Sequence, residues 1–501
     1  MKQKRVLLAI LMLFIMLSAV LSSCDQPTET PSDVSSSTSS DNTSSETNEN
    51  EEYELFSNLE REDFGAETIT ILVEGDHAEN YKSVEICPNE DSPDLISEAV
   101  TERNALVEEY FNVKITEIRT EANDQMLTLI RNNKMNSDSL YDIVCPYITT
   151  AATLALEGCF LDLYDYEDVH LDMPYWDQTA VEGLSIAGKM YFCTGDFSLL
   201  TLGCTHALVY GKSFVEDGVV EDPIKLVKDG EWTYDKLYEM GRKVTADSDG
   251  VSGMTSKDTY GFLLNDNYPT SMYLGSGYRL TSKDKNDLPT LQITSSGASD
   301  IVGKIFNIVN DKQCSAGIES FETEATAANI NVWKLATQMV ANGNVLFRAI
   351  SIIDVPDLGE YECSFGLLPT PKYTADQEEY YSNVSIVLAS CAAIPSANLS
   401  RAEMSAKILD AMTQASTKTT KYAYYEQLLK GRKIQDPDSE AVLDDIFNHR
   451  VYDLGIIYQW GDINTIINTV VWSGNNTFSS SLDSSIGTIE SKMNETISFM
   501  K

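Results

Sequence analysis

The first part of the folded sequence alternates short apolar segments with amphipathic ones, and this alternation constrains the fold more than any other feature. Thr68–Val73, Asn112–Ile118 and Tyr141–Cys145 have strand character because they are short, apolar and rich in β-branched residues. Helices are predicted between them, at about 93–110 and 123–135. Strands joined by such helices pair in parallel with right-handed crossovers. We therefore predict a parallel α/β sheet that binds ligands beyond the carboxyl ends of its strands.

The rest of the chain predicts a second α/β region followed by a return to the first. We place a first lobe at 53–197, a second α/β lobe at 198–384, and the return to the first lobe with C-terminal helices at 385–501. Ser385–Ala389 is predicted as the returning strand, and the chain is mostly helical from Arg401. A chain that crosses between lobes more than once forms a hinged clamshell with a cleft between its halves.

Residues 1–23 have the pattern of a secretion signal, with basic residues before the apolar segment Val6–Val20. This segment is too short to span a membrane comfortably. The sequence Leu21-Ser22-Ser23-Cys24 resembles the lipobox of bacterial lipoproteins. The resemblance implies that the chain is cut before Cys24, that this cysteine is acylated, for example with palmitate, and that the protein sits on the extracellular face of the cell membrane. An ordinary signal peptide is the alternative.

Residues 24–52 have the composition of a tether. They are dominated by Ser, Thr, Asn, Asp, Glu and Pro, and Val34 is the only large aliphatic residue among them. Such a segment cannot bury enough apolar surface to offset the entropy of ordering, so we predict that it is disordered. A flexible chain of this length spans roughly 30 Å.

The charge and the cysteines narrow the class of protein. The formal net charge of −41 makes nucleic acid an unfavourable partner, because phosphates would be repelled. None of the nine cysteines belongs to a Cys-x-x-Cys pair. We interpret the eight beyond Cys24 as small buried hydrophobic residues, and their disulfide state stays open. These eight are Cys87, Cys145, Cys159, Cys193, Cys204, Cys314, Cys363 and Cys391.

Several short motifs, in their order along the chain, resemble bacterial extracellular solute-binding lipoproteins of ABC importers, the group that includes sugar-binding receptors. They are Tyr141-Asp142-Ile143-Val144, Gly188-Lys189-Met190-Tyr191, Gly230-Glu231-Trp232-Thr233, Asp258-Thr259-Tyr260-Gly261-Phe262, Phe365-Gly366-Leu367-Leu368-Pro369-Thr370-Pro371-Lys372-Tyr373 and Asp453-Leu454-Gly455. The resemblance implies a two-lobed, periplasmic-binding-protein-like clamshell of type II, acting as a monomer without a cofactor. It would capture a small solute, a carbohydrate by family precedent, and deliver it to membrane permease subunits.

A sugar site needs aromatic faces for stacking and polar groups for hydroxyls. The candidate ligand-binding residues lie at predicted strand ends or in breaks between helices, and they are Tyr147, Asp196, Trp460, Arg348, Asp76 and His77. For each of them, packing or a solvated salt bridge is the alternative. Trp232 and Trp333 are interpreted as structural, since both lie at or in helices with apolar neighbours.

Motifs for catalysis or metal binding are scarce. The acids Asp247, Asp249 and Asp258 partly match a calcium-loop spacing, but Val251 stands where an acid is needed, which favours a solvated acidic loop. Catalytic motifs such as Gly-x-Ser-x-Gly or a phosphate loop are not found. We therefore predict a binding protein, with no metal and no catalytic residue. A lipid-anchored glycan-active enzyme or a glycan-binding adhesin is the alternative.

Overall fold

A three-stranded parallel sheet, made of β1 (Glu67–Val73), β2 (Val113–Arg119) and β3 (Ile143–Cys145), opens the fold in the order β2-β1-β3. Helices α1 (Leu95–Phe111) and α2 (Gln125–Asn136) connect these strands, so the predicted alternation is confirmed. The computed structural model describes residues 55–75, 81–89, 94–122, 125–431 and 437–501.

Local chemistry sets the boundaries of this unit. The Asp94 carboxylate accepts a hydrogen bond from the Ser97 amide at 2.8 Å and so caps α1. Asn112 adopts the left-handed conformation that ends the helix. Gly75 follows β1, where a Cβ would lie 1.8 Å from the carbonyl oxygen of Thr120, so only glycine fits between the ends of the two strands.

Three helices complete this first segment: α3 (Ile148–Leu156), α4 (Gln178–Leu184) and α5 (Leu199–Gly203). Between α4 and α5 a tight turn at Ala187 and Gly188 has positive φ at both residues, with Ile186 and Lys189 bonded to each other on either side. This geometry is that of a type I′ hairpin turn.

The second sheet has five strands in the order β10-β4-β9-β5-β8. Strand β5 pairs in parallel with β8 and β9, whereas β4 runs antiparallel to β9 and β10. This segment comprises β4 (His206–Gly211), α6 (Ser213–Glu216), α7 (Pro223–Lys228), α8 (Tyr234–Val244), β5 (Tyr260–Leu264), α9 (Tyr268–Gly275), β6 (Thr281–Lys283), β7 (Pro289–Leu291), α10 (Ser296–Val309), β8 (Ser315–Gly317), α11 (Glu322–Ala327), α12 (Val332–Ala341), β9 (Val345–Ser351), α13 (Val355–Leu358) and β10 (Phe365–Leu368).

The remaining elements are β11 (Ser382–Asn383), α14 (Ala402–Lys418), α15 (Thr420–Gly431), α16 (Pro437–Asn448), β12 (Arg450–Val451), α17 (Leu454–Tyr458), α18 (Ile463–Trp472) and α19 (Phe478–Met500). The strand predicted at Ser385–Ala389 is wrong. The chain turns there, because the amides of Leu388 and Ala389 both donate to the Ser385 carbonyl, and the returning strand is the short β11 just before it.

Two hydrophobic cores organise the described chain within one compact unit that runs to Lys501. The first lobe, defined by its core, takes side chains from Phe56 to Cys204 and from Val384 to Ala415. The second lobe takes them chiefly from Ala207 to Tyr380 and from Ala423 to Met500. The C-terminal helices α16, α18 and α19 thus pack on the second core, and the segment 385–501 is divided between the lobes.

The lobes are joined where the chain crosses between the two cores. Strands β11 and β12 pair in parallel at one such crossing, and Thr205 bridges Val384 beside them. All eight cysteines of the described chain are free thiols. Among the helices that the structure describes, none has the length and apolar character needed to span a bilayer. The predicted signal, Cys24 and the predicted tether lie outside the described residues.

Candidate functional site

A cavity of about 680 Å³ lies between the two lobes. From the first lobe it is lined by Tyr81 and by the turn residues Ser385, Val387 and Leu388, and the other lining residues come from the second lobe. Its volume falls within the roughly 300–1,000 Å³ usual for small-molecule sites. The turn that replaces the predicted strand at 385–389 therefore forms one wall of this cleft.

The topology of the second sheet brings polar side chains to the cleft. Asn265 and Asn267 follow β5, Glu319 follows β8, and β9 ends in Ser351, so the carboxyl ends of three neighbouring parallel strands meet at the cavity. His206 begins the antiparallel β4 directly opposite Ser351. The expectation that ligands bind beyond the carboxyl ends of strands applies here to the second lobe.

Trp333 gives the cleft an aromatic surface. Helix α12 begins at the Asn331 cap and buries Val332, Ala336, Met339 and Val340 along one face. Trp333 falls just off that face, so its side chain is 45% exposed and lines the cavity. The interpretation of Trp333 as structural is therefore wrong. Tyr361 and Tyr81 add two further aromatic rings to the lining.

Arg348 lies in the wall of the cleft, within β9 rather than at the end of a strand. It is only 3% exposed, and its Nη1 donates to Thr337 Oγ1 at 2.8 Å. Its Nε has no hydrogen-bond partner. Burial lowers the pKa of Arg348, although the charges of Asp354 and Asp357 act in the opposite direction. Arg348 is the described candidate residue that the structure places on the cavity wall.

Acidic side chains line the cleft alongside Arg348 and Lys334. Asp354, Asp357 and Glu360 recur every three residues, and Glu319 belongs to a different segment of the second lobe. Burial raises the pKa of Glu319. Four acids against two basic residues is close to the ratio of 77 to 36 in the whole chain, so this count by itself selects no charged solute.

A hydrogen bond from Tyr81 crosses the cleft directly. The Tyr81 hydroxyl of the first lobe donates to Asp354 Oδ2 of the second at 2.6 Å. Tyr147, predicted as a ligand contact, is buried behind this pair and donates its hydroxyl to the Tyr81 carbonyl at 2.8 Å. Tyr147 thus supports a cleft residue and does not itself line the cavity.

His206 joins the cleft to a lobe crossing. Its Nδ1 lies 2.7 Å from Ser271 Oγ, which also accepts a hydrogen bond from Asn383 Nδ2 of β11 at 3.1 Å. Burial lowers the pKa of His206 to about 4, so the imidazole is neutral at physiological pH. A neutral imidazole can both donate and accept hydrogen bonds beside a polar solute.

The other candidates lie elsewhere. Asp196 is buried and pairs with Lys421 Nζ at 2.8 Å, and Thr417 Oγ1 donates to it at the same distance. Trp460 is buried against Tyr458 and donates its indole N–H to Thr496 Oγ1 at 2.8 Å. Neither lines the cavity. Asp76 and His77 lie outside the described residues.

The acidic loop brings carboxylate oxygens of Asp247, Asp249 and Asp258 within 4.8 Å of one another. Asp258 accepts hydrogen bonds from the amides of Ser248 and Thr255, at 2.7 and 2.6 Å. Asp249 and Asp247 likewise accept from residues within the loop. These bonds hold the three acids in a turn, as expected for the acidic loop predicted from the sequence.

The sequence contains a pattern that predicts two of the missed cavity residues, Asn265 and Asn267. Asn265 and Asn267 directly follow the strand Tyr260–Leu264, so the same strand-end rule used for the first lobe finds them when it is applied to the second. Tyr81 and Trp333 have no such signal, because their exposure depends on how separate segments pack.

The architecture is similar to that of several solved binding proteins. No family model and no curated protein matches the sequence. Among solved structures, an ABC substrate-binding protein from Listeria monocytogenes in complex with cycloalternan is 14% identical, with a TM-score of 0.54 over 86% of this chain and 99% of that one. A cyclo/maltodextrin-binding protein complexed with maltotetraose is 12% identical, with a TM-score of 0.53 over 85% and 97%.

A third structure, the GacH receptor of Streptomyces glaucescens, solved unliganded and with acarbose, is 13% identical, with a TM-score of 0.51 over 86% of this chain and 98% of that one. At such identities the likeness establishes the fold. The protein has the two-lobed α/β architecture of the solute-binding proteins of ABC transporters, and the predicted fold class is confirmed.

Proposed function

We propose that the protein is the extracellular solute-binding component of an ABC importer. It captures a carbohydrate in the cleft between its lobes and presents it to membrane permease subunits. The observation that carries this proposal is the cavity of about 680 Å³ with an exposed indole and polar strand-end groups. Structures with the same fold hold maltotetraose, cycloalternan or acarbose.

The cleft has the groups that a sugar needs. The exposed face of Trp333 can stack against the C–H face of a pyranose. Asn265, Asn267 and His206 offer donors and acceptors to hydroxyl groups. Such a site binds and releases its solute without changing it. The solute drives closure because it contacts both lobes only when the cleft is closed, and it therefore shifts the population toward that state.

A ligand screen tests this function. A ligand that binds only the native state stabilises that state, by about 2.7 kcal/mol when its concentration is a hundred times its Kd. This stabilisation raises the apparent melting temperature. We expect one class among neutral, acidic and amino sugars to raise the melting temperature of the wild-type protein, and Trp333→Ala to remove the effect. If no saccharide shifts the melting temperature, or if a saccharide is cleaved, the proposal is wrong.

The anchor belongs to the same proposal. Acylated Cys24 would hold a monomer at the outer face of the cell membrane through the low-complexity segment 25–52. The test is fractionation of cells that express the wild-type protein or Cys24→Ala, after labelling with an alkyne fatty acid. We expect the label and the membrane association to be lost in the variant. An unlabelled wild-type protein would contradict lipidation and leave solute binding untouched.

A further inference from the structure

Arg348 is a buried arginine that forms no ion pair among the described residues. Arg103 is also buried without an ion pair to any of these residues, but it does not line the cavity, and it donates to Asn104 Oδ1 and to the Ile86 carbonyl. Arginine is almost never fully buried unless it is paired. Yet Arg348 is 97% buried, and a single hydrogen bond, to Thr337 Oγ1, satisfies it. Within the described part of the chain, it forms no ion pair, and its Nε lacks an acceptor. Burying a guanidinium in this way costs free energy that an incoming acceptor would recover.

Among the described residues, no carboxylate forms a direct ion pair with Arg348, although two acids lie close enough to influence its pKa. Asp354 and Asp357 act on Arg348 from beyond ion-pair distance, and Asp354 already accepts the Tyr81 hydroxyl. Burial is the larger influence, so the pKa of Arg348 stays below its ordinary value. The cavity beside the side chain is where a counter-ion can enter.

Trp333 lies one helical turn from Thr337, the residue that accepts the hydrogen bond of Arg348. Thr337 accepts from Arg348 and donates its own hydroxyl to the Trp333 carbonyl at 3.0 Å. One turn of helix rises about 5.4 Å. Trp333 and Arg348 line the same cavity, so a sugar stacked on the indole lies in the cavity that the guanidinium borders.

We propose that the solute contains an acidic sugar, a hexuronate, whose ring stacks on Trp333 and whose carboxylate pairs with Arg348. This inference rests on the proposed carbohydrate function and names the class of carbohydrate. The planar fork of arginine matches a carboxylate with two parallel hydrogen bonds, which a lysine cannot reproduce. The carboxylate also provides the direct ion pair that the buried guanidinium does not form with any described residue.

The test uses matched sugars that differ only at C6. Calorimetric titrations compare glucuronate with glucose, galacturonate with galactose, and the di- and trisaccharides of each pair. We expect the wild-type protein to bind at least one uronate about tenfold or more tightly than its neutral counterpart, the effect of a charged hydrogen-bonded pair.

Variants separate recognition from structure. Arg348→Gln should bring the uronate down to the affinity of its neutral counterpart, and Arg348→Lys, which keeps the charge, should keep part of the preference. Lys285→Gln, an equal charge change at an exposed residue, should keep all of it. Thermal unfolding confirms that each variant is folded, and Arg348→Lys provides the test if Arg348→Gln is not.

Each remaining outcome decides the question. If neutral sugars bind as tightly as uronates, the carbohydrate function stands and the uronate inference is overturned. If Arg348→Gln weakens both members of a pair equally, Arg348 is structural and the inference is overturned. If no saccharide of either kind binds, the carbohydrate function itself fails and this inference fails with it.

Discussion

Two arginines, the largely buried Arg450 at a crossing between the lobes and the buried Arg348 in the cleft, have opposite surroundings. Arg450 donates from Nη2 and Nε to Asp177 Oδ2, at 2.7 and 3.0 Å, and the Tyr452 hydroxyl donates to the same oxygen at 2.7 Å. Burial acts to lower the pKa of Arg450, but the adjacent charge of Asp177 outweighs it and the pKa is raised. For Arg348 burial prevails, and the pKa is lowered.

The contrast indicates a different role for each of the two arginines. A buried charge whose hydrogen bonds come from the protein holds the chain together, here where β12 carries it between the lobes. A buried polar atom without a partner calls for an explanation, and a ligand that completes it is one. The predictions below follow from this difference and begin with the largest effect.

Asp177→Ala should cost about 3–5 kcal/mol of stability, because it leaves the Arg450 charge buried without its partner. The same substitution removes the cap of α4, since Asp177 accepts from the amides of Thr179 and Ala180. Urea unfolding measures the loss, with exposed Asp376→Ala as the control. A loss no larger than that of the control would show that the paired cluster is not what holds the crossing.

The effect of Asp177 should depend on pH. Burial acts to raise its pKa, but the charge of Arg450 and the hydrogen bonds it accepts outweigh burial, so the pKa is lowered. Its contribution to stability is therefore complete above the unfolded pKa of about 3.9 and is lost as the pH falls through the lower folded value. The stability difference between the wild-type protein and Asp177→Ala should shrink in acid.

Arg348→Met should change stability in the opposite direction. Replacing a buried, poorly compensated charge by an apolar side chain is neutral or stabilising, here by about 1 kcal/mol. Arg450→Met is the matched variant and should destabilise by about 3–5 kcal/mol, since the buried Asp177 would lose its ion-pair partner. A strong destabilisation by Arg348→Met would mean that Arg348, like Arg450, stabilises the fold.

Tyr81→Phe should weaken solute binding by roughly two- to tenfold, the net value of one hydrogen bond. The hydroxyl joins the lobes through Asp354, so its loss favours opening of the cleft. Calorimetry measures the affinity. Tyr361→Phe is the comparison variant: it alters another cleft tyrosine, whose hydroxyl has no bond across the cleft among the described contacts. Equal affinities for wild type and Tyr81→Phe would contradict this role.

The sequence predicted the strands and helices that open the first lobe better than it predicted the residues of the site. Its periodicity located β1, α1, β2, α2 and β3 because local propensity and burial agree there. The apolar run Ile386, Val387 and Leu388 looks like a strand, yet it turns to wall the cleft. Trp333 lies one position away from the buried face of its helix. Its exposure therefore depends on which segment lies across the cavity, and the sequence of the helix does not show this. Arg348 was predicted because it was placed at the end of a strand; it lies within β9 instead, and it still borders the cavity.

The smallest effect concerns another partnered pair, His170 and Asp410. The hydrogen bond to Asp410 raises the pKa of His170, and the charges of Asp168 and Asp172 add to this. Its contribution to stability is complete below the unfolded pKa of about 6.5 and is lost as the pH rises through the folded value. Relative to His170→Gln, the wild-type protein should be more stable at pH 6 than at pH 9, as thermal unfolding can measure. A difference that does not change with pH would contradict the pairing.

The most direct test of the account is a crystal structure of the protein with the tightest-binding saccharide from the screen. We predict electron density for the sugar between the lobes, with one ring against Trp333 and acceptor oxygens within hydrogen-bond distance of Arg348. A sugar bound elsewhere on the protein, with this cavity left to water, would contradict it.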